Sequence, residues 1–266
     1  YWNYITRADF CGATIIIYRL ERACKIIMQQ FFTILGGMGT LATESYVRLL
    51  DKRTPIHRDQ DYLNYLVVNH ATVPDRTTWI LDHSQPDPNE ALIEDIKQQS
   101  LLNPAFFVLI CNTAHYSFDK LQAATEIPIL NMLQETVNEI KKIKPDAKRV
   151  GLLATKGTLA ANLYDPYIEK AGYELIKPTP EIADMTEGLI YHDIKEAGHS
   201  DGKKYHELVQ KMIEEQGADV VVLGCTELSF AEEMDPETKY PVADSQSIIV
   251  DRSLERALKL RQNNKN

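Results

Sequence analysis

The sequence predicts two similar Rossmann-like α/β domains. Each is a three-layer arrangement with helices on both faces of a parallel sheet, and the pair is related by an internal pseudo-duplication, with the site in the cleft between them. Three observations carry this. An unbroken apolar run from Ala105 ends in Val108-Leu109-Ile110-Cys111, and a second ends in Val220-Val221-Val222-Leu223-Gly224-Cys225. Runs of this kind fit strands covered on both faces, as parallel strands are. Each run delivers a Cys to a strand end, with Thr113 or Thr226 one or two residues later. Each is also preceded by a comparable strand–loop–helix stretch, Ile34-Leu35-Gly36-Gly37-Met38-Gly39-Thr40 and Leu152-Leu153-Ala154-Thr155-Lys156-Gly157-Thr158. Gly36 and Ala154 lie 118 residues apart, and Cys111 and Cys225 lie 114 apart, so two independent landmarks give one duplication.

In order along the chain, Gln29–Leu35 is the first strand and Thr40 opens a helix. Tyr65–His70 is a second strand, followed by a loop, Val73-Pro74-Asp75-Arg76-Thr77. An amphipathic helix runs from Asn89 to Leu102, with Ala91, Leu92, Ile96 and Leu101 apolar. After the first cysteine strand comes a helix to about Glu126, then Ile127–Leu130. The second half holds a helix (Glu135–Lys144), a strand (Arg149–Ala154), a helix to Ala171 and a strand (Tyr173–Lys177). It continues with a helix (Ala183–Ala197) and the strand Ala218–Leu223. Pro241–Asp244 is a short last strand and Ser245–Leu260 a closing helix that returns to the first half. The domains are therefore drawn as 28–131 with 241–266, and 132–240. Residues Tyr1–Ile27 show no clear period and are expected to be a non-native or disordered leader, with folding beginning near Met28. Arg261–Asn266 is polar and should fray.

The 266 residues carry a net charge of −9, which argues against a nucleic-acid footprint. No apolar run approaches the length of a membrane span. Four cysteines, at 11, 24, 111 and 225, form neither a disulfide framework nor a zinc pattern, so no metal site is expected. Free thiols suit a reducing compartment, here the cytoplasm. Cys11 and Cys24, in the leader, receive no role.

Ligands of open α/β sheets bind outside the carboxyl ends of the strands, where Cys111 and Cys225 stand. A thiol at a helix N-terminus has its pKa drawn from about 8.5 toward neutrality. The bland reading of either Cys alone is packing, and the pairing is what argues otherwise. The Gly36-Gly37-Met38-Gly39 loop brings backbone N–H groups to a helix N-terminus and suits a carboxylate. It lacks the third glycine and acidic residue of a dinucleotide site. Arg76 could grip a carboxylate with two parallel hydrogen bonds, or be a surface cation in a polar loop. Lys195, near a helix C-terminus, reads as a solvated or capping residue.

With these pieces assembled, the sequence resembles the cofactor-independent aspartate/glutamate racemase family, its aspartate racemase branch in particular. The matching stretches are Gly36-Gly37-Met38-Gly39, Val73-Pro74-Asp75-Arg76-Thr77, Cys111-Asn112-Thr113-Ala114-His115, Ile194-Lys195-Glu196-Ala197-Gly198 and Gly224-Cys225-Thr226-Glu227. Thr40 stands where the family often has Pro, and Glu227 where glutamate racemases have His. Broad-specificity relatives often replace the first cysteine with Thr; both are kept here, which favours aspartate.

The resemblance implies a homodimer that works on a small acidic amino acid without pyridoxal phosphate or another cofactor. It implies two catalytic thiols, Cys111 and Cys225, on opposite faces of the substrate. Gly37, Met38 and Gly39 would offer backbone donors to the α-carboxylate, and Arg76 and Lys195 would hold carboxylate oxygens. Asn112, Thr113 and Thr226 would bind the α-carboxylate or amino group. Glu227 and His115 are candidate catalytic support, and a carboxylate so near Cys225 should raise that thiol's pKa. Other readings remain: a glutamate or broad-specificity racemase, a maleate isomerase or decarboxylase-like relative, a non-catalytic binder of acidic amino acids, and hydrolysis by Cys111 with His115.

Overall fold

The computed structural model describes residues 28–263; the expectations for Tyr1–Ile27, with Cys11 and Cys24, and for the last three residues lie outside them. The first sheet holds β1 (Phe31–Gly36), β2 (Asn64–Asn69), β3 (Phe107–Leu109) and β4 (Ile129–Leu130), in the order β2-β1-β3-β4. The second holds β5 (Arg149–Leu153), β6 (Glu174–Ile176), β7 (Val220–Leu223) and β8 (Val242–Asp244), in the order β6-β5-β7-β8. The two orders correspond strand for strand and every pairing is parallel, which is the duplication read from the loop and cysteine spacings.

Successive residues of each central strand feed opposite layers, because a strand's side chains alternate. In the first half, Phe32, Ile34 and Val108 pack with Tyr46 and Leu50 of α1 (Thr40–Arg53) and with Ile249 and Val250 of the closing helix. On the other face, Leu35, Phe107 and Leu109 meet Leu92 and Ile96 of α2's successor; α2 itself spans Arg76–Leu81 and that successor, α3, spans Pro88–Ser100. In the second half, Leu152, Val220 and Val222 pack with residues that include Val137 and Ile140 of Met132–Ile143, while Leu153, Val221 and Leu223 pack with Leu208 and Val209 of Gly202–Gln210. Burying each such aliphatic side chain stabilises by about 1.5–3 kcal/mol.

Between them, the remaining helices complete both halves. They are α4 (Phe118–Gln122), α5 (Met132–Ile143), α6 (Lys156–Ala160), α7 (Asp165–Lys170), α8 (Pro180–Gly188), α9 (Gly202–Gln210), α10 (Thr226–Met234) and α11 (Ser245–Asn263). Among the described residues, no helix is long and apolar enough to cross a membrane.

Several elements differ from the sequence expectation. The helix after Cys111 is a 3-10 turn, Thr113–Ser117, followed by the short α4. The helix expected to run to Ala171 is broken into α6 and α7, with Asn162 at φ 53 between them. Pro166 forces that break, since Pro is tolerated only in a helix's first turn. The stretch Val73–Thr77 is not all loop, because Asp75 caps α2 by accepting from the Thr78 N–H. β8 pairs with β7, so it belongs to the second sheet, and the return to the first half begins at Ser245 rather than Pro241. Hydrogen bonding to β7 fixes the strand, while Ile249, Val250 and Ala257 carry the helix onto the first core.

Candidate active site

In each half the strand order reverses between the first strand and its neighbour, β1 with β3 and β5 with β7. A crevice opens at such a switch point, and the residues leaving these strands are the glycine loop, Cys111, Thr155 and Cys225. Both thiols are free and buried, Cys111 at 5% and Cys225 at 4% exposure, and both line one chamber. The first half contributes Met38, Asp75, Arg76, Thr77, Cys111, Asn112 and Thr113. The second contributes Thr155, Tyr191, Lys195, Cys225, Thr226 and Glu227. At about 10 Å³ the chamber has room for roughly one water, less than any amino acid needs. A vestibule of about 370 Å³ adjoins it and shares Met38, Asp75, Arg76, Lys195 and Glu227 with it. Gly37 and Gly39 line the vestibule rather than the chamber.

Cys225 is the N-cap residue of α10, yet its thiol is held well above the ordinary cysteine range. Burial is the main cause and the Glu227 carboxylate the next, with Lys195 opposing them. This reverses the expected pull of the helix terminus for Cys225 and follows the expectation drawn from Glu227. The Cys225 S–H donates to Glu227 Oε2 at 3.0 Å, and the Thr226 hydroxyl donates to the same oxygen at 3.3 Å. Glu227 Oε1 lies 3.6 Å from Lys195 Nζ and has no hydrogen-bond partner among the described residues. Burial alone would lower the Lys195 pKa, but Glu227 and then Cys225 outweigh it and raise it. Lys195 is therefore not the solvated residue its sequence position suggested. It lies in a π-helical continuation of α8, Leu189–Glu196, and the extra residue per turn changes which face its side chain joins. Its ammonium lies 4.6 Å from the centre of the Tyr191 ring.

Arg76 is 7% exposed, and its surface-cation reading is excluded. One terminal nitrogen donates to the Met38 carbonyl at 2.7 Å, and the other to the carbonyls of Pro74 (3.0 Å) and Val73 (3.3 Å). The two-pronged carboxylate grip expected of it is thus already engaged with backbone, which pins the glycine loop to the Val73–Asp75 turn. Nε remains buried without a hydrogen-bond partner among the described residues. Burial opposes the Arg76 charge, but Cys111 and then Asp75 outweigh it and raise its pKa. Gly37 sits at φ +89 with the His70 backbone 2.5 Å from where a Cβ would be, so no other residue fits. Its N–H donates to Thr43 Oγ1 at 2.9 Å and is not free for a ligand.

Asn112, Thr113 and Thr226 all line the chamber, but the Asn112 side chain is engaged elsewhere. Its Oδ1 accepts from the Tyr164 hydroxyl at 2.6 Å and its Nδ2 donates to Ser245 Oγ at 2.9 Å. Thr113 Oγ1 lies 3.1 Å from the hydroxyls of both Thr155 and Thr158, bridging the halves. His115 stays out of the chamber. Its Nδ1 lies 2.8 Å from the Cys111 carbonyl, and its Nε2 accepts from the Met132 N–H at 3.1 Å, which fixes a neutral tautomer. Burial pushes its pKa down to about 4. It supports backbone, and it cannot serve Cys111 as a base.

Sequence reasoning gave no role to Asp75, Thr77, Thr155 or Tyr191, all of which line the chamber. Tyr191 donates to Asp75 Oδ2 at 3.2 Å across the cleft, a contact between residues 116 positions apart. Asp75, Asn112, Thr113, Thr155 and Tyr191 tie the two halves together.

Comparison with known proteins places the chain in a family. A broad-specificity amino-acid racemase of Bacillus subtilis (strain 168) is 26% identical over 223 residues, covering 81% of this chain and 93% of that protein. The aspartate racemase of Picrophilus torridus has a similar structure, with a TM-score of 0.70 at 24% identity over 85% of this chain and 94% of that one. An aspartate racemase homologue from Pyrococcus horikoshii OT3 gives 0.67 at 22% identity, over 86% and 99%. At those identities the two structures speak for the fold. The family profile described as Asp/Glu/Hydantoin racemase matches residues 35–252, from the end of β1 into α11, and the chain belongs to that family of isomerases.

Proposed function

We propose that the protein interconverts the enantiomers of a small acidic amino acid, aspartate first, by proton transfer between two cysteines. The observation that carries this reading is that Cys111 and Cys225 line one chamber in opposite electrostatic company. Arg76 stands beside Cys111, while Cys225 donates its proton toward Glu227. In one direction the Cys111 thiolate takes the α-proton, so the Cα–H bond breaks and an S–H bond forms. The electron pair left on Cα spreads into the α-carboxylate. Cys225 then gives its S–H proton to the opposite face and becomes the thiolate. The reverse reaction exchanges the roles, with Cys225 as the thiolate and Cys111 as the thiol. Backbone N–H groups around Met38, Gly39 and Thr113 meet the α-carboxylate, and preorganised donors of this kind stabilise the carbanion most.

Two further features support an acidic substrate. Among the described residues no backbone carbonyl engages the Lys195 ammonium, and Arg76 Nε is a buried donor without a hydrogen-bond partner, while the unpaired acceptor Glu227 Oε1 suits the substrate's α-ammonium. Such atoms are uncommon and destabilise the site unless a ligand meets them. A chamber this small and this deeply buried also limits stray protonation of the carbanion by solvent. We take the protein to be a cytoplasmic homodimer, a compartment that keeps both thiols reduced.

The test is incubation in deuterated water with L- and D-aspartate, glutamate, asparagine and alanine, followed by chiral chromatography and mass analysis. D-Aspartate formed from L-aspartate with deuterium at Cα is expected, and Cys111→Ser or Cys225→Ser should each slow inversion at least about a hundredfold. Absence of both exchange and inversion across the panel overturns the reading, and full-rate inversion by either Ser variant overturns the two-thiol mechanism.

A further inference from the structure

Tyr164 touches the immediate neighbours of both thiols without lining the chamber itself. It is wholly buried in the second half, just before α7. Its hydroxyl donates to Asn112 Oδ1 at 2.6 Å, across to the residue that follows Cys111. Its ring lies against Gly224, the residue before Cys225; a Cβ on Gly224 would come within 3.1 Å of Tyr164 Cε2. The same Asn112 amide donates to Ser245 Oγ at the start of α11, so its orientation is fixed at both ends. Burial raises the Tyr164 pKa, so the hydroxyl remains a donor across the working range.

The duplication sharpens the point. Tyr46 stands 118 residues before Tyr164, the same spacing as the two strand-end loops, and is equally buried. Its hydroxyl donates to Ser253 Oγ on α11 at 2.7 Å. One copy of the tyrosine therefore anchors the closing helix, while the other reaches between the two cysteine turns.

We propose that Tyr164 is a positioning residue that sets the separation and facing of the Cys111 and Cys225 thiols, by bracing Gly224 with its ring and Asn112 with its hydroxyl. The proposal rests on the two-thiol reading above. Inversion needs both sulfurs in register with the two faces of Cα, and a misplacement of about 1 Å can slow such a reaction by up to a hundredfold. Abstraction by one thiol alone does not need that register. Loss of the brace should therefore impair delivery to the far face more than removal from the near one.

The experiment compares wild type with Tyr164→Phe, which keeps the ring and removes the hydroxyl. In deuterated water the variant should lose about tenfold in kcat in both directions with KM within about twofold, and its ratio of exchange with retention to inversion should rise. A second readout does not depend on turnover. Dibromobimane becomes fluorescent once both bromomethyl groups have reacted with thiols, and peptide mapping locates the bridge. The Cys111–Cys225 bridge should form in the wild type and fall in yield in the variant, with single alkylation unchanged. Should Tyr164→Phe fail to fold because Asn112 Oδ1 is left unpaired, Tyr164→Phe with Asn112→Leu removes both partners and should show the same changes. A folded variant with the wild-type exchange ratio and bridging yield overturns the proposal. A wild type that bridges but never exchanges overturns the racemase reading instead, and the bridging comparison still decides the role of Tyr164. A wild type that neither exchanges nor bridges overturns both.

Discussion

The Cys225 thiol points its proton at Glu227, with Sγ and Oε2 3.0 Å apart, both residues almost fully buried. Two positions after the cysteine, on the first turn of α10, the carboxylate also reaches the opposite half: a Cβ on Gly39 would lie 2.9 Å from Glu227 Oε1. A carboxylate beside a thiol favours the protonated thiol, and here it adds to the effect of burial. Cys111 has the Arg76 guanidinium for company instead. The two halves, alike in topology, thus give their cysteines different company, a guanidinium for Cys111 and a carboxylate opposed by Lys195 for Cys225.

Replacing Glu227 with Gln removes that negative charge while keeping the shape. The Cys225 pKa should fall from its raised position, so the alkaline limb of the pH–rate profile should move to lower pH in the direction where Cys225 donates. In that direction kcat should drop about a hundredfold, within the range for lost acid–base function. Rates measured across pH from both enantiomers check this. An alkaline limb that stays in place would show that Glu227 does not control the thiol.

Both cysteines and the strands that carry them were legible because long apolar runs ending in a small polar turn have few other interpretations. The duplication was legible because two landmarks agreed in spacing; the Tyr46–Tyr164 pair, at the same 118-residue interval, carries the same signal and was not read from the sequence. What the sequence concealed was the use to which side chains are put across the cleft. Arg76 sits in the chamber, but backbone carbonyls of Val73, Pro74 and Met38 take its terminal nitrogens. Asn112 lies next to a thiol, yet its amide faces Tyr164 and Ser245. Those partners are distant in sequence, so no local pattern reveals them. From its place near a helix C-terminus alone Lys195 read as solvated or capping, because nothing local shows the π-helical turn on which it stands.

His115 gives a pH dependence of stability with a definite sign. Burial depresses its folded-state pKa from 6.5 to about 4. Below 6.5 the unfolded chain binds a proton that the native protein refuses. Stability therefore falls as pH drops from 6.5 toward 4 and levels off below that, losing up to about 3 kcal/mol from this one group. His115→Gln keeps an amide donor and acceptor for the Cys111 carbonyl and Met132 N–H and does not titrate. Denaturant unfolding between pH 4 and 7 should show that slope in the wild type and a shallower one in the variant. Equal slopes would sink the assignment.

Gly157 marks a close approach of the two halves beside the chamber. A Cβ there would lie 2.8 Å from Thr77 Cα and 2.9 Å from Thr77 Oγ1, and the former belongs to the backbone of α2 and cannot swing aside. Gly157→Ala should destabilise by about 1–3 kcal/mol, as overpacking does. It should also wedge the cleft, so that iodoacetamide alkylates Cys111 and Cys225 faster than in the wild type. An unchanged melting temperature together with unchanged alkylation would mean that the seam yields freely.

Lys195 separates recognition of the substrate from control of the thiol. Its ammonium lies 3.6 Å from Glu227 Oε1 and faces the Tyr191 ring, and it stays charged although burial opposes this. If it meets the side-chain carboxylate of aspartate, Lys195→Met should lower kcat/KM for aspartate about a hundredfold, the scale expected when one member of a buried charge pair is lost. Any slow turnover of alanine or asparagine should change only severalfold, and Lys195→Arg should recover part of the aspartate activity. If the lysine acts instead on Glu227 and Cys225, acidic and neutral substrates should lose equally, in kcat rather than KM, with the alkaline limb displaced. Steady-state kinetics on the two classes of substrate therefore distinguish a specificity residue from one that tunes the acid, because only the former knows what the side chain carries.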